Sequence, residues 1–429
     1  MRFLILTQYF LPEIGATQVR LGSLCRELAA AGHSMEVVTA MPHHPKGRIF
    51  PNFQGRFYLR DNWEGVPVHR VWLYAGSGSS LRRILSYLSF CLTCLFGLVR
   101  ASKPDYVFVD SPPLFLGVPG WVAAKFWGVP FVFNVADLWP DSALDLGILH
   151  DGLALRQAYR LESWVYRHAD HVTAVTGGIR ETLLNSKRLP AERVLFLPNG
   201  VDTRLFQPRP ENYGLRRELG LMGKKIVLYA GNHGYAGAVE TVLYAADCLR
   251  SDPAIHFLLV GDGPEKPKLR ELATHLALEN VTFHDSVPLE SVPELISISD
   301  LAVVTLRKSK VMAGARPAKA FVMMAGGKPI VLAAEGEAAR LIEASGAGVV
   351  VSPEDHRSLA NAICNLLEDR ARAKQMGKNG RAFVVANFQW PLLVRNWLAQ
   401  LANHNPRTAR SKGKLKHAEN GVDASFMHE

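Results

Sequence analysis

The chain has 429 residues, of which 48% are hydrophobic and 21% charged, with five cysteines and a formal net charge of +10. This length exceeds what one hydrophobic core usually supports, so we expect two domains. The composition excludes a mainly disordered protein, and the few scattered cysteines exclude a disulfide framework and indicate a reducing, cytoplasmic compartment. The charge is not read as a sign of a nucleic acid partner, because five of the cations lie in a tail at 403–429. We expect this tail to be disordered and either solvated or in contact with anionic lipid.

The first domain is predicted at residues 1–202. Helical patterns fill most of the gaps between its predicted strands, which lie at 3–8, 35–39, 66–73, 106–110, 131–136, 171–176 and 194–198. This alternation is typical of a mostly parallel sheet covered on both faces. Gly15 lies in the loop between the first strand and its helix, where backbone N–H groups can approach a diphosphate or a sugar, although a tight turn alone also favours glycine.

A strongly apolar segment at 84–99 is flanked by Arg82, Arg83 and Arg100. It falls short of the ~20 residues that span a bilayer, so it is either a buried helix of the first domain or an interfacial helix in peripheral contact with a membrane. Cys91 and Cys94 lie within it, and without a second pair of cysteines they indicate packing rather than a zinc site.

Two further positions of the first domain are candidate site residues. Asp137 follows the strand at 131–136, at the carboxyl edge of the sheet, which favours a base or sugar-binding group that faces the cleft. Alternatively, Asp137 is a helix N-cap or turn former. The adjacent His43 and His44 lie on a loop bracketed by prolines, which favours acceptor binding over a shared metal ion.

At residue 224 the plan of strand, glycine loop and helix starts again, after a predicted linker at 203–223. The second domain is predicted at 224–370, followed by helices at 371–402 in which Pro391 should break or kink the chain and turn it back toward the first domain. Two tandem doubly wound α/β domains place a cleft between the carboxyl ends of their sheets, where such sheets bind ligands.

The second domain has two features suited to phosphate. Its first loop, GNHGYAG, contains Gly231, Asn232, His233 and Gly234 at the start of a helix, where main-chain donors can surround phosphate oxygens. In the segment GARPAKAF, Arg316 and Lys319 lie near a helix N-terminus, where cations oppose the helix dipole. A bound anion would account for them, although they could also be ordinary solvated charges. No dinucleotide fingerprint G-x-G-x-x-G follows the first strand, so nicotinamide chemistry is not expected.

Several segments together resemble a glycosyltransferase of family 4. They are QYFLPEIGATQVRLGSLCRELAAAGHSMEVVTAMPHHPKG, VADLWPDS, PNGVD, YAGNHGYAGAVETVL, VGDGPEK and RPAKAFVMMAGGKPIVLAAEGEAARLIEASGAGVVV. The resemblance covers roughly residues 1–400 and is specific in combination. It implies the GT-B fold of two Rossmann-like domains, and it is strongest to bacterial enzymes that build O-antigen, capsule or exopolysaccharide.

The resemblance implies transfer with retention of configuration from a nucleotide-diphosphate sugar, without a metal or other cofactor. With the apolar segment at 84–99, it indicates a lipid-linked glycan acceptor at the inner face of the cytoplasmic membrane. Gly15 is placed on the acceptor and sugar side, and Asp137 takes the place of the residue beside the sugar.

By the same resemblance, the second domain holds most of the donor. Gly231 and Gly234 are placed near its phosphates, and Gly263 near its nucleotide. Arg316 and Lys319 are expected to neutralise the diphosphate as it leaves, since preorganised cations and backbone donors stabilise that charge without a metal.

The chain departs from the family pattern at several positions, and the GNHG loop lacks a basic residue that many relatives have. Its two glutamates, eight positions apart, are replaced by Gly314 and Val322, and a valine cannot accept a hydrogen bond from the nucleotide ribose. Ala318 replaces a hydroxyl residue beside the lysine. These departures leave open a catalytically silent partner protein. A nucleotide-sugar epimerase on the same fold is a second alternative.

Overall fold

A computed structural model gives the structure of the chain and describes residues 1–13, 15–44, 47–76, 80–145 and 152–403. The tail predicted at 403–429 lies, after its first residue, outside the described residues. The described chain forms two sheets, one after the other along the sequence. The predicted fold class, two tandem doubly wound α/β domains, is confirmed.

The first sheet has eight strands in the order β3-β4-β2-β1-β5-β6-β7-β8. They are β1 (Arg2–Leu6), β2 (Ser34–Ala40), β3 (Tyr58–Trp63), β4 (Val66–Val71), β5 (Tyr106–Ser111), β6 (Phe131–Val135), β7 (His171–Ala174) and β8 (Val194–Phe196). All neighbouring pairs are parallel except β3 with β4, which are antiparallel.

The edge strand β3 is absent from the sequence prediction. Its sequence YLRDNW mixes charged and apolar residues, and its burial pattern contains no fully buried position, so the apolar signal is weak. A tight turn at Glu64 and Gly65, both with positive φ, joins it to β4. Such turns match the twist of a hairpin and account for the antiparallel edge.

The helices of the first domain cover both faces of this sheet. They are α1 (Ala16–Ala30), α2 (Ser80–Arg100), α3 (Gly117–Trp127), α4 (Asp141–Asp145), α5 (Leu153–His168) and α6 (Gly177–Glu181), which a π-helical turn continues at Thr182–Ser186. The apolar helix α2 has 21 residues and is longer than the predicted 84–99. Its stretch Arg82–Arg100 is long and apolar enough to cross a membrane by length and composition, which corrects the expectation that the segment is too short.

The second sheet has six parallel strands in the order β11-β10-β9-β12-β13-β14. They are β9 (Lys225–Ala230), β10 (Ile255–Val260), β11 (Val281–His284), β12 (Leu301–Thr305), β13 (Ile330–Ala333) and β14 (Gly348–Val351). The order reverses between β9 and β12, so the crevice outside the carboxyl ends of these two strands is the expected ligand site.

The helices of the second half are α7 (Tyr213–Glu218), α8 (Glu240–Cys248), α9 (Lys266–His275), α10 (Val292–Ser297), α11 (Lys310–Ala313), α12 (Ala318–Ala325), α13 (Glu337–Ser345), α14 (His356–Glu368), α15 (Arg370–Asn387) and α16 (Trp390–Asn403). The helix α7 lies within the predicted linker, where Asn212 caps it by accepting a hydrogen bond from the Leu215 amide. Arg216 then donates to the carbonyl of Ile298, so this segment packs on the second domain.

Each sheet buries an apolar cluster on both faces. In β1, Phe3 and Ile5 belong to one cluster and Leu4 and Leu6 to the other, because successive side chains of a strand point to opposite faces. This two-sided burial explains why the central strands read as continuous apolar runs in the sequence.

The last helix returns to the first sheet. The chain breaks between α15 and α16, and Pro391 stands in the first turn of α16, where its missing N–H has no helical partner to lose. The Trp397 ring lies 5.8 Å from that of Phe3 and 5.7 Å from that of Phe108, and its indole donates to the Thr173 hydroxyl at 3.3 Å.

Candidate active site

The glycine loop at 231–237 lies at the carboxyl end of β9, at the reversal of strand order. Three of its carbonyl groups accept hydrogen bonds from neighbouring residues. The Tyr229 hydroxyl donates to the Asn232 carbonyl at 3.1 Å, the Thr305 hydroxyl to the Gly237 carbonyl, and the Arg307 amide to the Ala236 carbonyl at 2.9 Å. Among the described residues, the backbone N–H of Gly234 has no hydrogen-bond partner. These contacts occupy carbonyl groups of the loop and leave the Gly234 amide without a partner.

A second loop, after β10, presses against the first. A Cβ atom on Gly263 would come within 2.5 Å of the His233 carbonyl oxygen and within 2.4 Å of the Asn232 side chain, so only glycine fits there. The His233 amide donates to the carbonyl of Asp262 at 2.9 Å, which joins the two loops. The contact between the two loops thus requires glycine at position 263, whether or not a nucleotide binds there.

His233 lies beneath these loops and is completely buried. Neither ring nitrogen has a hydrogen-bond partner among the described residues. Burial, followed by the nearby charges of Lys266 and Lys319, lowers the pKa of His233 to about 4. The imidazole is therefore uncharged at neutral pH.

Lys319 is brought to the glycine loop by the first turn of α12. Its ammonium group donates to the Tyr229 hydroxyl at 2.8 Å, and its Cδ atom lies 3.4 Å from the point where a Cβ on Gly231 would stand. The helix begins at Ala318 without a side-chain cap, and Lys319 is its second residue. One cation thus lies beside the glycine loop.

Arg316 lies elsewhere. It is 8% exposed, and its guanidinium donates to the Val175 carbonyl of the first domain at 2.7 Å. The aromatic rings of Phe321 and Phe388 lie 5.4 and 5.0 Å from its centre, and burial lowers its pKa to about 10. In this structure Arg316 joins the two domains, a contact that the sequence does not indicate.

A carboxylate of the second domain reinforces the same junction. The two carboxylate oxygens of Glu337 accept hydrogen bonds from the amides of Gly177 and Gly178 at 3.0 and 2.8 Å, and Arg316 lies 3.7 Å from one of them. A Cβ atom on Gly178 would come within 3.1 Å of the Gly314 Cα. The first turn of α6 and the second domain are therefore in close contact across the cleft.

Asp137 follows β6 at the carboxyl edge of the first sheet and is half-buried. Its carboxylate accepts a hydrogen bond from the Ser142 hydroxyl at 2.8 Å, and burial raises the pKa of Asp137. The short helix α4 that follows packs against α11 of the second domain. Asp137 therefore serves the turn into α4 and stands at the side of the domain that faces its neighbour.

The loop of His43 and His44 is organised by a buried carboxylate. Glu13 accepts hydrogen bonds from the backbone amides of His43 and His44 at 2.6 and 2.8 Å, and from the Gln18 side chain at 3.1 Å. Burial raises the pKa of Glu13 despite these donors, and burial lowers the pKa of both histidines.

Gly15 lies in the same cluster. The Gln18 side chain folds over it, with its amide oxygen 2.4 Å from where a Cβ on Gly15 would stand. The Tyr9 ring stacks on His43, with ring centroids 5.5 Å apart, and touches His44 edge-on. The structure thus brings the predicted acceptor-side residues together around Glu13.

The positions that depart from the family pattern lie near Lys319. Gly314 ends the short helix α11, and Ala318 begins α12. Val322 is partly buried and packs against the apolar cluster beneath the sheet. Its side chain therefore serves packing.

Sequence reasoning did not single out Glu13, Tyr229 or Glu337. Glu13 stands within the loop PEIGA, and a carboxylate beside a glycine turn is the signal that could have found it. Tyr229 reads as one more residue of a buried strand, and Glu337 as an ordinary acid in a helix first turn. In the described ranges, no group of three or more His, Cys, Asp or Glu residues could hold a metal ion.

Comparison with known proteins agrees with this architecture. Residues 15–200 match the model of a glycosyl transferase 4-like domain, and residues 215–383 that of glycosyl transferases group 1. The chain is 30% identical over 375 residues to the putative colanic acid biosynthesis glycosyl transferase WcaI of Escherichia coli, covering 85% of this chain and 91% of that protein. It is 27% identical over 273 residues to the probable glycosyltransferase WbjE of Pseudomonas aeruginosa, covering 63% and 68%.

Among solved structures, Anabaena HepE in complex with UDP-glucose superposes with a TM-score of 0.70 at 19% identity, covering 94% of this chain and 100% of that one. The chain belongs to the GT-B glycosyltransferases, with a family 4-like first domain and a group 1 second domain. The predicted family is confirmed, and the protein is a glycosyltransferase.

Proposed function

We propose that this glycosyltransferase transfers a sugar from a nucleotide-diphosphate sugar to a lipid-linked glycan, with retention of configuration and without a metal ion. The enzyme then catalyses a step of cell-surface polysaccharide biosynthesis at the inner face of the cytoplasmic membrane. WcaI, by its name, acts in colanic acid biosynthesis, and HepE was solved with UDP-glucose. Both names support the proposal.

The observation that carries the proposal is the position of Lys319 beside the glycine loop. Departure of the nucleotide develops negative charge on a phosphate oxygen of the donor. The Lys319 ammonium, the free Gly234 amide and the uncapped start of α12 all lie where that charge can be stabilised. Arg316 is assigned instead to holding the two domains together, because its guanidinium is engaged by Val175.

On the acceptor side, the proposal uses the cluster around Glu13. Asp137 stands beside the transferred sugar, and the loop of His43 and His44 receives the acceptor glycan. Both histidines are neutral at physiological pH, since burial lowers their pKa values, so they act as hydrogen-bonding groups rather than as cations. Val322 cannot accept a hydrogen bond from the nucleotide ribose, so ribose contacts must come from other groups.

A transfer assay tests the proposal. The purified full chain is incubated with UDP-, GDP- and dTDP-sugars, a bacterial lipid extract and EDTA, and release of the nucleotide diphosphate is measured. We expect turnover in EDTA, and losses of about 10²–10³-fold in Lys319→Ala, the size seen when one preorganised group is removed from a developing charge. Lys378→Ala, an exposed lysine on α15, is the control.

The same assay separates the alternatives. Conversion of the donor sugar without lipid indicates an epimerase, and no donor turnover with any lipid indicates a silent protein. If Lys319→Ala and Asp137→Ala both turn over donor like wild type, the site assignment is wrong.

A further inference from the structure

One face of α2 is apolar and exposed to water. The side chains of Leu85, Leu88, Leu92, Leu95 and Val99 recur every three or four residues, so they form one stripe along the helix. Leu92 is 71% exposed and Val99 79%. Isolated exposed apolar residues need no explanation, but a contiguous stripe of this length marks an interaction surface.

The neighbouring helix extends this stripe into a wider surface. On α3, Val118, Val122 and Phe126 are exposed at a spacing of four residues, with Phe126 81% exposed. The Cys91 thiol of α2 donates to the Phe115 carbonyl just before α3, at 3.4 Å, so the two helices lie side by side. We call these two stripes the α2–α3 face.

Aromatic side chains border the α2–α3 face on its other side. Phe57, Trp72 and Tyr74 are exposed, and the Phe57 ring packs edge-on against Phe96 of α2 at 5.3 Å. The Thr93 hydroxyl of α2 donates to the Trp72 carbonyl at 2.6 Å, which holds that strand end beside the helix. Trp and Tyr favour the headgroup level of a bilayer, where one end of the ring is apolar and the other wet.

The charged side chains on the two helices have one sign. No Asp or Glu occurs from Val66 to Pro104, and α3 carries none either. Arg82 and Arg83 stand at one end of α2, Arg100 at the other, and Lys125 lies on α3, all of them exposed. An apolar face with a basic rim complements an anionic lipid surface.

The packing of α2 against the first sheet opposes a membrane-spanning position. Its inner side chains Phe90, Cys94 and Leu98 are at most 3% exposed and belong to the apolar cluster beneath the first sheet. Extracting the helix to span a bilayer would expose that cluster to water, which opposes the move. The exposed stripe alone can enter the interface without disturbing the fold.

The first turns of α2 lie next to the acceptor side of the cleft. The Gln8 side chain, next to Tyr9, donates to the Ser86 hydroxyl in the first turns of α2 at 3.3 Å. The same end carries Arg82 and Arg83. Docking of the α2–α3 face on a bilayer therefore brings the loop of His43 and His44 close to the lipid surface.

We infer that the α2–α3 face is a docking surface for an anionic lipid bilayer, with both helices lying in the interface and the cleft opening beside it. This inference rests on the proposed use of a lipid-linked acceptor. It assigns the contact to two helices and an aromatic border, beyond the segment at 84–99 alone.

Vesicle sedimentation of the full chain tests the inference. The probes are vesicles of phosphatidylcholine alone and of phosphatidylcholine with an equal amount of phosphatidylglycerol. We expect binding only to the second kind, and a loss of about tenfold or more in Leu92→Ser/Val122→Ser/Phe126→Ser, because each apolar side chain that enters the interface adds to partitioning. A matched triple in the second domain, Tyr213→Ser/Met222→Ser/Tyr244→Ser, also removes exposed apolar side chains and should bind like wild type.

Additional measurements distinguish the possible results of this experiment. Thermal unfolding of both triple variants shows that they are folded. If the first triple binds as wild type, the inference is wrong. If replacement of the five cations of the tail at 403–429 by glutamine then abolishes binding, the tail is the anchor. Absence of wild-type binding to anionic vesicles, or capture only by a protein partner, also overturns it. Donor turnover is measured separately on the same samples, so failure of the proposed function and failure of docking are distinguishable.

Discussion

The Lys319 ammonium group and the Tyr229 hydroxyl lie 2.8 Å apart, and the same hydroxyl donates to the Asn232 carbonyl at 3.1 Å. A buried strand residue thus links the cation of α12 to the backbone of the glycine loop. Since Lys319 and the loop come from segments almost ninety residues apart, this hydroxyl sets their mutual position before any donor binds.

Tyr229→Phe removes only that link. We expect kcat to fall by roughly tenfold while the donor KM changes little, since a hydrogen bond to a charged group contributes about 1.5–3 kcal/mol and the cation remains present. A double-mutant cycle gives the sharper result. In a Lys319→Ala background, Tyr229→Phe should cause little further loss, whereas additive losses would show that Tyr229 acts independently of Lys319. Tyr244→Phe, on α8, is the control.

Glu13→Ala should destabilise the first domain. The change leaves the amides of His43 and His44 without their acceptor, and each buried unpaired donor costs about 1–3 kcal/mol. Urea unfolding measures the difference in free energy, and the acceptor KM should rise while the donor KM does not. An equal rise in both KM values would contradict the assignment of this loop to the acceptor.

Glu337→Gln should loosen the contact between the domains. A carboxamide presents one acceptor oxygen and an NH₂ group, so it cannot accept from both Gly177 and Gly178, and the loss is about 1–3 kcal/mol. Small-angle scattering should then show a larger radius of gyration than in wild type. Glu335→Gln, an exposed carboxylate two residues away, is the control, and identical scattering from all three proteins would show that the contact does not hold the domains.

His233→Leu should change how stability depends on pH. The folded pKa of about 4 lies below the ordinary value of 6.5, so between these values the unfolded chain binds the extra proton and wild-type stability falls as the pH is lowered. The contribution is fully present above pH 6.5 and is lost toward pH 4. The variant should lack this component, which has a limiting slope of about 1.4 kcal/mol per pH unit. Equal slopes in urea unfolding would show that the pKa of His233 is the same in the folded and unfolded chain.

Local sequence patterns predict most of the fold. The buried parallel strands appear as apolar runs, and the glycine loop with Lys319 is recognisable because its residue types are unusual at a helix start. The edge strand β3 is missed because its sequence mixes charged and apolar residues and shows no regular hydrophobic periodicity. The position of Arg316 is missed for a different reason: its partner Val175 lies 141 residues away, and no local pattern encodes such a contact.

The departures from the family pattern carry a similar lesson. The replacement of a glutamate by Val322 is visible in the sequence, but its packing against the core is not. The sequence likewise shows two adjacent histidines, while the carboxylate of Glu13 that organises them becomes evident only when the first loop and the β2 end are brought together.

Calorimetric titration of the protein with UDP, GDP and dTDP tests the central claim most directly. Wild type should bind one of these nucleotides, Lys378→Ala should bind it equally, and Lys319→Ala should bind it about tenfold more weakly or worse, because a charged contact to a phosphate oxygen is lost. Equal affinity in wild type and Lys319→Ala, or no heat with any nucleotide diphosphate, would contradict the account.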